Sequence, residues 1–366
     1  MRKWILRLHL YLSLAAGLFV VVLGSTGCIL AFETELDHLL HSRLFYVTPR
    51  PQALSLAEIA RVVENAYPGE HITAYTLARS PNLSYQVDIS KGTLFIDQYS
   101  GEVLGLVKDP DLATTALAML HSIHLRLTPT TSTNAGKVVV KWVAVAILAL
   151  LLSGLYLWWP IKRLGIKRGT SGFRFWFDLH NTVGILSLVF LFVLTMTGIV
   201  IGFEEQTSAL FYQLTGSQPS LVYNRQTFKS EPPTSDAEPI SPDQAVTIAK
   251  NALPGATPFN FSVPGPADAY VMRASFPEDL TGGGRSQVVI DQYSGQVLAA
   301  ESSRTPPAGS GLVTTNRALH TGDIFGLPSK AIMSLASLML VAQAITGVLM
   351  WWRRRRRTAE TGRRGV

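Results

Sequence analysis

Four stretches of the chain, Leu8–Phe32, Val138–Pro160, Phe175–Phe203 and Ala331–Trp352, are apolar over the roughly 20 residues that a helix needs to cross a hydrocarbon core of about 30 Å. In lipid every backbone N–H and C=O must find its partner inside the protein, so such stretches are expected to fold as helices. The composition fits: of 366 residues, 47% are hydrophobic and 16% charged, which is apolar for a water-soluble chain of this length. All seven tryptophans lie near the ends of the stretches, where amphipathic rings settle at the headgroup level.

Basic residues flank the stretches on one side: Arg2, Lys3 and Arg7; Lys162, Arg163, Lys167, Arg168 and Arg174; then Arg353 to Arg357, Arg363 and Arg364. The positive-inside rule places both termini and the 161–174 loop in the cytoplasm. The rest of the chain holds more acidic than basic residues, so the net charge of +7 is a topology signal and does not point to nucleic acid. The single cysteine, Cys28, excludes an intrachain disulfide framework. Ser25-Thr26-Gly27-Cys28 faintly resembles a lipoprotein cleavage site, but the run around it is too long for a signal and has an internal counterpart.

That counterpart reveals a repeat. The segment beginning at Leu6 aligns without a gap on the segment beginning at Phe177, so that His9 falls on His180 and Thr26-Gly27 on Thr197-Gly198. Each half then reads as span, outer domain, span, which makes the repeat parallel and puts both soluble domains on the outer face. Capping boxes at Ser55–Glu58 and Ser241–Gln244 open matching helices, ended by Tyr67-Pro68-Gly69 and Leu253-Pro254-Gly255. Alternating segments near Ile72–Ala78, Tyr85–Ile89 and Thr93–Asp97, and near Ala269–Ser275 and Gln287–Asp291, predict strands. Both copies close with Ile-Asp-Gln-Tyr-Ser-Gly, at Ile96–Gly101 and Ile290–Gly295, as a turn between strands. Gly216–Pro242 is a linker, and the Gly-rich Phe276–Arg285 is an insertion.

Two helices at the outer membrane surface are expected over Leu112–Leu127 and Gly311–Phe325; they carry Leu120-His121-Ser122-Ile123-His124 and Leu319-His320-Thr321-Gly322. The exits match as well, Ser153-Gly154 to Trp158-Trp159 against Thr346-Gly347 to Trp351-Trp352. The chain thus divides into a first span (1–34), an outer domain (35–111), a surface helix and loop (112–137), a second span (138–160), a cytoplasmic loop (161–174), a third span (175–204), a linker with a second outer domain (205–310), a surface helix and loop (311–329), a fourth span (330–352) and a basic tail (353–366). The fold class is an α-helical integral membrane protein with four transmembrane helices in two parallel repeats and two outer α+β domains.

An imidazole within a span must find partners that lipid does not supply. Two parallel spans put His9 and His180 at equal depth, where a pseudo-twofold axis along the membrane normal would let them grip the two faces of one porphyrin iron. His320 and His124 form the expected second pair, with His121, three residues from His124 on the same helical face, as the alternative. Arg7 and Arg126 neighbour these positions and are candidates for haem propionates, or equally for snorkelling cations. His38 and His41 read as interfacial and His71 as solvated; the glycines along the first and third spans read mainly as helix packing.

The spans with their LH motif, an outer domain ending in an Ile-Asp-x-Tyr-Ser-Gly hairpin and the Gly-x-x-x-Trp-Trp exit resemble the PepSY-associated transmembrane proteins, also called iron-regulated membrane proteins, which include FoxB-like ferric-siderophore reductases. The resemblance covers nearly the whole chain; His9, His180 and Leu319-His320-Thr321-Gly322 with Gly326 are its most specific parts, and His124 matches less cleanly. It implies PepSY-like outer domains in the periplasm, a bacterial inner-membrane location, and two b-type haems with His9, His180, His124 and His320 as axial ligands. It also implies outward electron flow that reduces a ferric siderophore or other iron chelate. The chain carries no GxSxG, Walker or nucleotide-binding motif, so electrons are expected from a cytoplasmic reductase or membrane quinol. A non-enzymatic PepSY anchor explains the outer domains but leaves the matched histidines idle. A transporter is disfavoured because the span interiors lack charge.

Overall fold

The computed structural model describes all residues except 130–133, 163, 168, 170–171, 222–227, 233–236 and 364–366, with the backbone alone over 357–363. Arg163, Arg168 and Arg364 of the basic flank and part of the 216–242 linker therefore lie outside the described residues. The chain forms two compact units, Met1–Glu33 with Thr115–Ala209 and Thr315–Val366, and Thr34–Thr114 with Leu210–Thr314.

In chain order the helices are α1 (Arg2–Leu30), α2 (Glu33–Leu40), α3 (Ser42–Phe45), α4 (Leu56–Ala66), α5 (Leu112–Arg126), α6 (Ala135–Trp158), α7 (Phe173–Gly202), α8 (Glu204–Thr215), α9 (Pro242–Ala252), α10 (Ala308–Thr321) and α11 (Leu327–Arg363). Among the described residues α1, α6, α7 and α11 are long and apolar enough to cross a membrane. They pack as a ring in the order α1, α6, α7, α11, so α1 and α7 stand on one diagonal. Small residues set the closest approaches: a Cβ on Gly24 of α1 would meet the Ser337 carbonyl oxygen of α11 at 2.9 Å, and one on Gly202 of α7 would meet the Lys141 side chain of α6 at 2.8 Å. Ala16, Val20 and Leu23 of α1 bury against Val143 and Ile147 of α6, while Leu18, Leu186 and Val189 are exposed, as lipid-facing residues are. The helices begin and end within a few residues of the expected spans, except that α11 continues through the arginine run to Arg363.

In the second unit the segments expected to form two outer domains share one sheet. Its strands β1 (Ala74–Thr76), β2 (Tyr85–Ile89), β3 (Gly92–Ile96), β4 (Val103–Val107), β5 (Thr257–Ser262), β6 (Tyr270–Ser275), β7 (Ser286–Ile290) and β8 (Val297–Glu301) form one antiparallel sheet in the order β4-β3-β2-β1-β5-β6-β7-β8. The two halves join where β1 pairs with β5, in the register Ala74 to Ser262 and Thr76 to Asn260. Each half alone would leave that edge with unpaired backbone groups, and pairing satisfies both. Helices α4 and α9 cover one face of the sheet through Leu56, Ile59 and Val63 and through Ala245 and Ala249, in a core shared with Val87, Leu94, Ile96, Met272, Val288 and Ile290. Both capping boxes form as predicted. The Asp243 carboxylate of α9 also accepts from the Leu56 and Ala57 amides at 2.8 and 2.9 Å, capping its neighbour α4.

His41, expected as an interfacial residue, has two carboxylate partners. Its ring, with a side chain 12% exposed, donates from Nε2 to Asp111 Oδ2 and from Nδ1 to Asp37 Oδ1, each at 2.8 Å. The hydrogen bond to Asp111 and that to Asp37 raise the His41 pKa against the effect of burial. The Thr114 amide and then His41 hold Asp111 down at about 2. A raised histidine contributes stability below its ordinary pKa of about 6.5 and loses it as pH climbs through the raised value. A depressed aspartate contributes above about 3.9 and loses it as pH falls toward 2. His41→Gln is therefore expected to lower the unfolding midpoint most between about pH 4 and 6.5, with the gap to the parent closing in alkaline buffer; thermal melts across pH read it directly.

Candidate functional site

Each of the four expected ligand histidines presents its ring to another helix and places Nδ1 against a hydroxyl there. His9 of α1 lies 2.8 Å from Ser153 Oγ of α6, and His180 of α7 lies 2.8 Å from Thr346 Oγ1 of α11. His124 of α5 lies 2.9 Å from Thr26 Oγ1 of α1, and His320 of α10 lies 3.0 Å from Thr197 Oγ1 of α7. Every one of these hydroxyls donates its own proton to a carbonyl one turn back: Ser153 to Ala149 at 2.6 Å, Thr346 to Ala342 at 2.7 Å, Thr26 to Val22 at 2.8 Å and Thr197 to Val193 at 2.7 Å. The oxygen is left as an acceptor, so Nδ1 carries the hydrogen and Nε2 keeps its lone pair. A glycine follows each hydroxyl and gives the ring edge its space. A Cβ would stand 3.1 Å from His124 Cε1 at Gly27, 3.2 Å from His320 Cε1 at Gly198, 3.4 Å from His9 Cε1 at Gly154 and 3.7 Å from His180 Cε1 at Gly347.

The seated rings come together across the bundle in two pairs. The His124 and His320 ring centroids are 6.5 Å apart with 51° between the planes. Burial, with His320 and His121 adding to it for His124, pushes both down to about 4, so both are neutral donors at ordinary pH. His9 and His180 line one cavity of about 610 Å³ together with Gly17, Gly184, Leu188 and Gln343. Gln343 Nε2 donates to the His180 carbonyl at 3.0 Å, tying α11 to α7 at this depth.

A model of the PepSY-associated TM region matches residues 6–354. The chain belongs to this PepSY-associated transmembrane family. No curated protein matches it.

The donor sets suit the group that this family resemblance implied. Among the described residues no three His, Cys, Asp or Glu side chains cluster as a bare-metal site; two imidazoles with free Nε2 atoms match the two axial positions that a porphyrin leaves on its iron. His124 and His320, with ring centroids 6.5 Å apart, are the residues that would hold such a group, which would supply redox chemistry there. The cavity beside His9 and His180 has the volume and apolar lining of a cofactor pocket.

Cations for the carboxylates of such a group differ in part from those expected. Arg7 is exposed, stacks on Trp4 at 5.4 Å and is not among the residues lining the cavity; Arg2 and Lys3 are. The helix phase explains this, because Arg7 and His9 are two residues apart and point to different faces. Arg126 is half-buried and among the described residues its Nε has no hydrogen-bond partner; the same holds for Arg317, which carries no motif in the sequence. Two buried guanidinium N–H groups awaiting acceptors fit an anionic edge.

The His121 alternative acquires its own role. His121 Nδ1 donates to Glu33 at 3.0 Å, and Arg317 pairs with Glu204 at 3.6 Å. Glu33 and Glu204 are equivalent in the gapless alignment, and with His124 set on His320, His121 falls on Arg317. His121 thus occupies the cation position of an ion pair one helical turn from His124. His38 stacks on Phe45 with centroids 4.3 Å apart, inside a small aromatic cluster.

Two outcomes test this geometry. Gly347→Ala is expected to raise the thermal midpoint, since alanine gains about 1 kcal/mol in a helix interior and its Cβ meets only ordinary contact, whereas Gly198→Ala crowds His320 and gains nothing. His121→Arg is expected to fold with stability within about 0.5 kcal/mol of the parent. The Glu33 hydrogen bond raises the His121 pKa, so the parent pair contributes below the ordinary histidine pKa and fades as pH rises. The arginine variant will lose that pH dependence in melts.

Proposed function

We propose that this PepSY-associated protein is a di-haem electron carrier of the bacterial inner membrane that reduces a periplasmic ferric chelate of the siderophore class. The observation that carries the reading is the fourfold seating of histidines as two cross-bundle pairs, each with Nδ1 committed and Nε2 free. In this reading His9 and His180 hold one b-type haem with Arg2 and Lys3 near its carboxylates, and His124 and His320 hold the other beside Arg126 and Arg317. A bound haem supplies one-electron exchange between ferric and ferrous iron. The positive-inside pattern supports cytoplasmic termini and a periplasmic sheet unit, and so outward electron flow from a cytoplasmic reductase or quinol.

The residues account for the rest. From His9 to Thr26 the α1 helix climbs roughly 25 Å at about 1.5 Å per residue, so the two pairs lie toward opposite ends of the bundle. The apolar walls of the first cavity and its two cations bind and orient a flat, carboxylate-edged molecule while keeping bulk water from the metal. At the far end the electron passes to Fe(III) in the chelate and gives Fe(II), which hard oxygen donors hold far less tightly, so reduction alone releases the metal. No proton transfer is needed at the substrate. A non-enzymatic anchor reading accounts for the sheet unit but not for the seats.

Protein purified after haem-replete expression is expected to show a Soret band with sharp α and β bands on reduction and about two haems per chain by extraction. His9→Ala or His180→Ala should remove one haem and His320→Ala the other, and His320→Ala should also stop oxidation of the reduced protein by ferric siderophore. A colourless parent protein would overturn the reading.

A further inference from the structure

We propose that Thr26, Ser153, Thr197 and Thr346 are positioning residues that fix all four ligands in one tautomer and keep them neutral imidazoles of modest donor strength. The proposal rests on the di-haem reading and deepens it. It starts from a division among the histidines of this chain. His41 and His121 hydrogen-bond to carboxylates, Asp37 and Asp111 in one case and Glu33 in the other. Among the described residues, His9, His124, His180 and His320 hydrogen-bond to helix hydroxyls and to no carboxylate; the backbone carbonyls of Leu23, Gln343 and Leu194 lie alongside as further neutral acceptors for His124, His180 and His320.

The difference has chemical content. A carboxylate draws the Nδ1 proton toward itself, gives the ring imidazolate character and strengthens its donation to ferric iron. A hydroxyl whose only proton is locked to a carbonyl one turn back is a neutral and weaker acceptor. It orients the ring and selects the Nδ1–H form without stabilising the ferric state as strongly. Because the same seat recurs at each ligand, the two iron sites carry ligands of equal character. Electrons then move along the bundle without a large step imposed by the ligands, and the donor and the chelate set the direction.

The seat also limits the ring. Each hydroxyl sits next to the glycine that faces Cε1, so one dipeptide fixes both the hydrogen bond and the approach of the ring edge. A threonine-to-valine exchange keeps the shape and removes the hydroxyl, acceptor oxygen and donated proton together, whereas threonine-to-serine keeps both.

The experiment compares Thr197→Val, Thr197→Ser, Ser153→Ala and Ser153→Thr in the full-length protein. Spectroelectrochemical titration, electron paramagnetic resonance of the ferric form and haem retention are the readouts. The valine and alanine variants should lose haem from one site about tenfold more readily, shift that site to a more positive potential and change its ferric spectrum; the serine and threonine variants should match the parent. Nitrogen-labelled histidine resonances in haem-free protein should show the Nδ1–H tautomer at the four rings, lost at His9 in Ser153→Ala. If the parent binds two haems and Thr197→Val and Ser153→Ala keep its potentials, ferric spectra and haem retention, the positioning role is wrong while the di-haem reading stands. If the parent binds no haem, both fall.

Discussion

The organisation of the bundle depends on a hydrogen bond between an imidazole Nδ1–H and a hydroxyl on the facing helix. A ring with two polar nitrogens among apolar helices loses its water, and a nitrogen left without a partner there costs about 1–3 kcal/mol. The chain satisfies one nitrogen of each ring and leaves the other with its lone pair. Since the hydroxyl proton is already committed to its own helix, the pairing has one sense only, and the tautomer follows from the backbone of α1, α6, α7 and α11. Sliding one helix along another by a turn would break a seat, so the seats hold the helices in register.

Seats and pairs divide the work between the two halves of the chain. Each seat forms within a half: α1 onto α6 and α5 onto α1 in the first, α7 onto α11 and α10 onto α7 in the second. Each pair forms between halves, because α1 and α7 are diagonal in the ring and face each other across its interior. A half can position its histidines alone but cannot bring two of them together as a pair. Duplication therefore does more here than enlarge the protein, since it is what converts single seated rings into facing donors.

Much of this was legible in the residues. Hydropathy located the spans, capping boxes located α4 and α9, and the gapless alignment matched His9 to His180. The seats were in view as the recurring Thr26-Gly27, Ser153-Gly154, Thr197-Gly198 and Thr346-Gly347, yet nothing local says which histidine a hydroxyl on another helix will meet, and the glycines read as packing. The joined sheet was not legible, because the pairing of β1 with β5 is made by backbone groups common to every residue. Strands β4, β5 and β8 were missed for a related reason. β4 is half-buried throughout, β8 lies largely exposed at a sheet edge, and a bulge interrupts β5, so none presents the clean alternation that marked its neighbours. The His121 and His124 doublet was not separable from sequence, because the match of His121 to Arg317 already assumes that His124 is set on His320.

The halves have diverged where divergence is tolerable. Asp243 caps α4, while the matching position in the first half is Ala57, which offers no carboxylate in return. The ion pair beside the second histidine pair uses His121 in one half and Arg317 in the other. Exposed ion pairs contribute about 0–1 kcal/mol, so an exchange of one cation for another there costs little. Loss of a seat would instead strand a buried N–H and free the ring to rotate, a cost about as large as a good fraction of a protein's net stability. That difference in energy accounts for what the two halves share: each half has two hydroxyl-glycine seats, with serine standing for threonine once, while the charges around them differ.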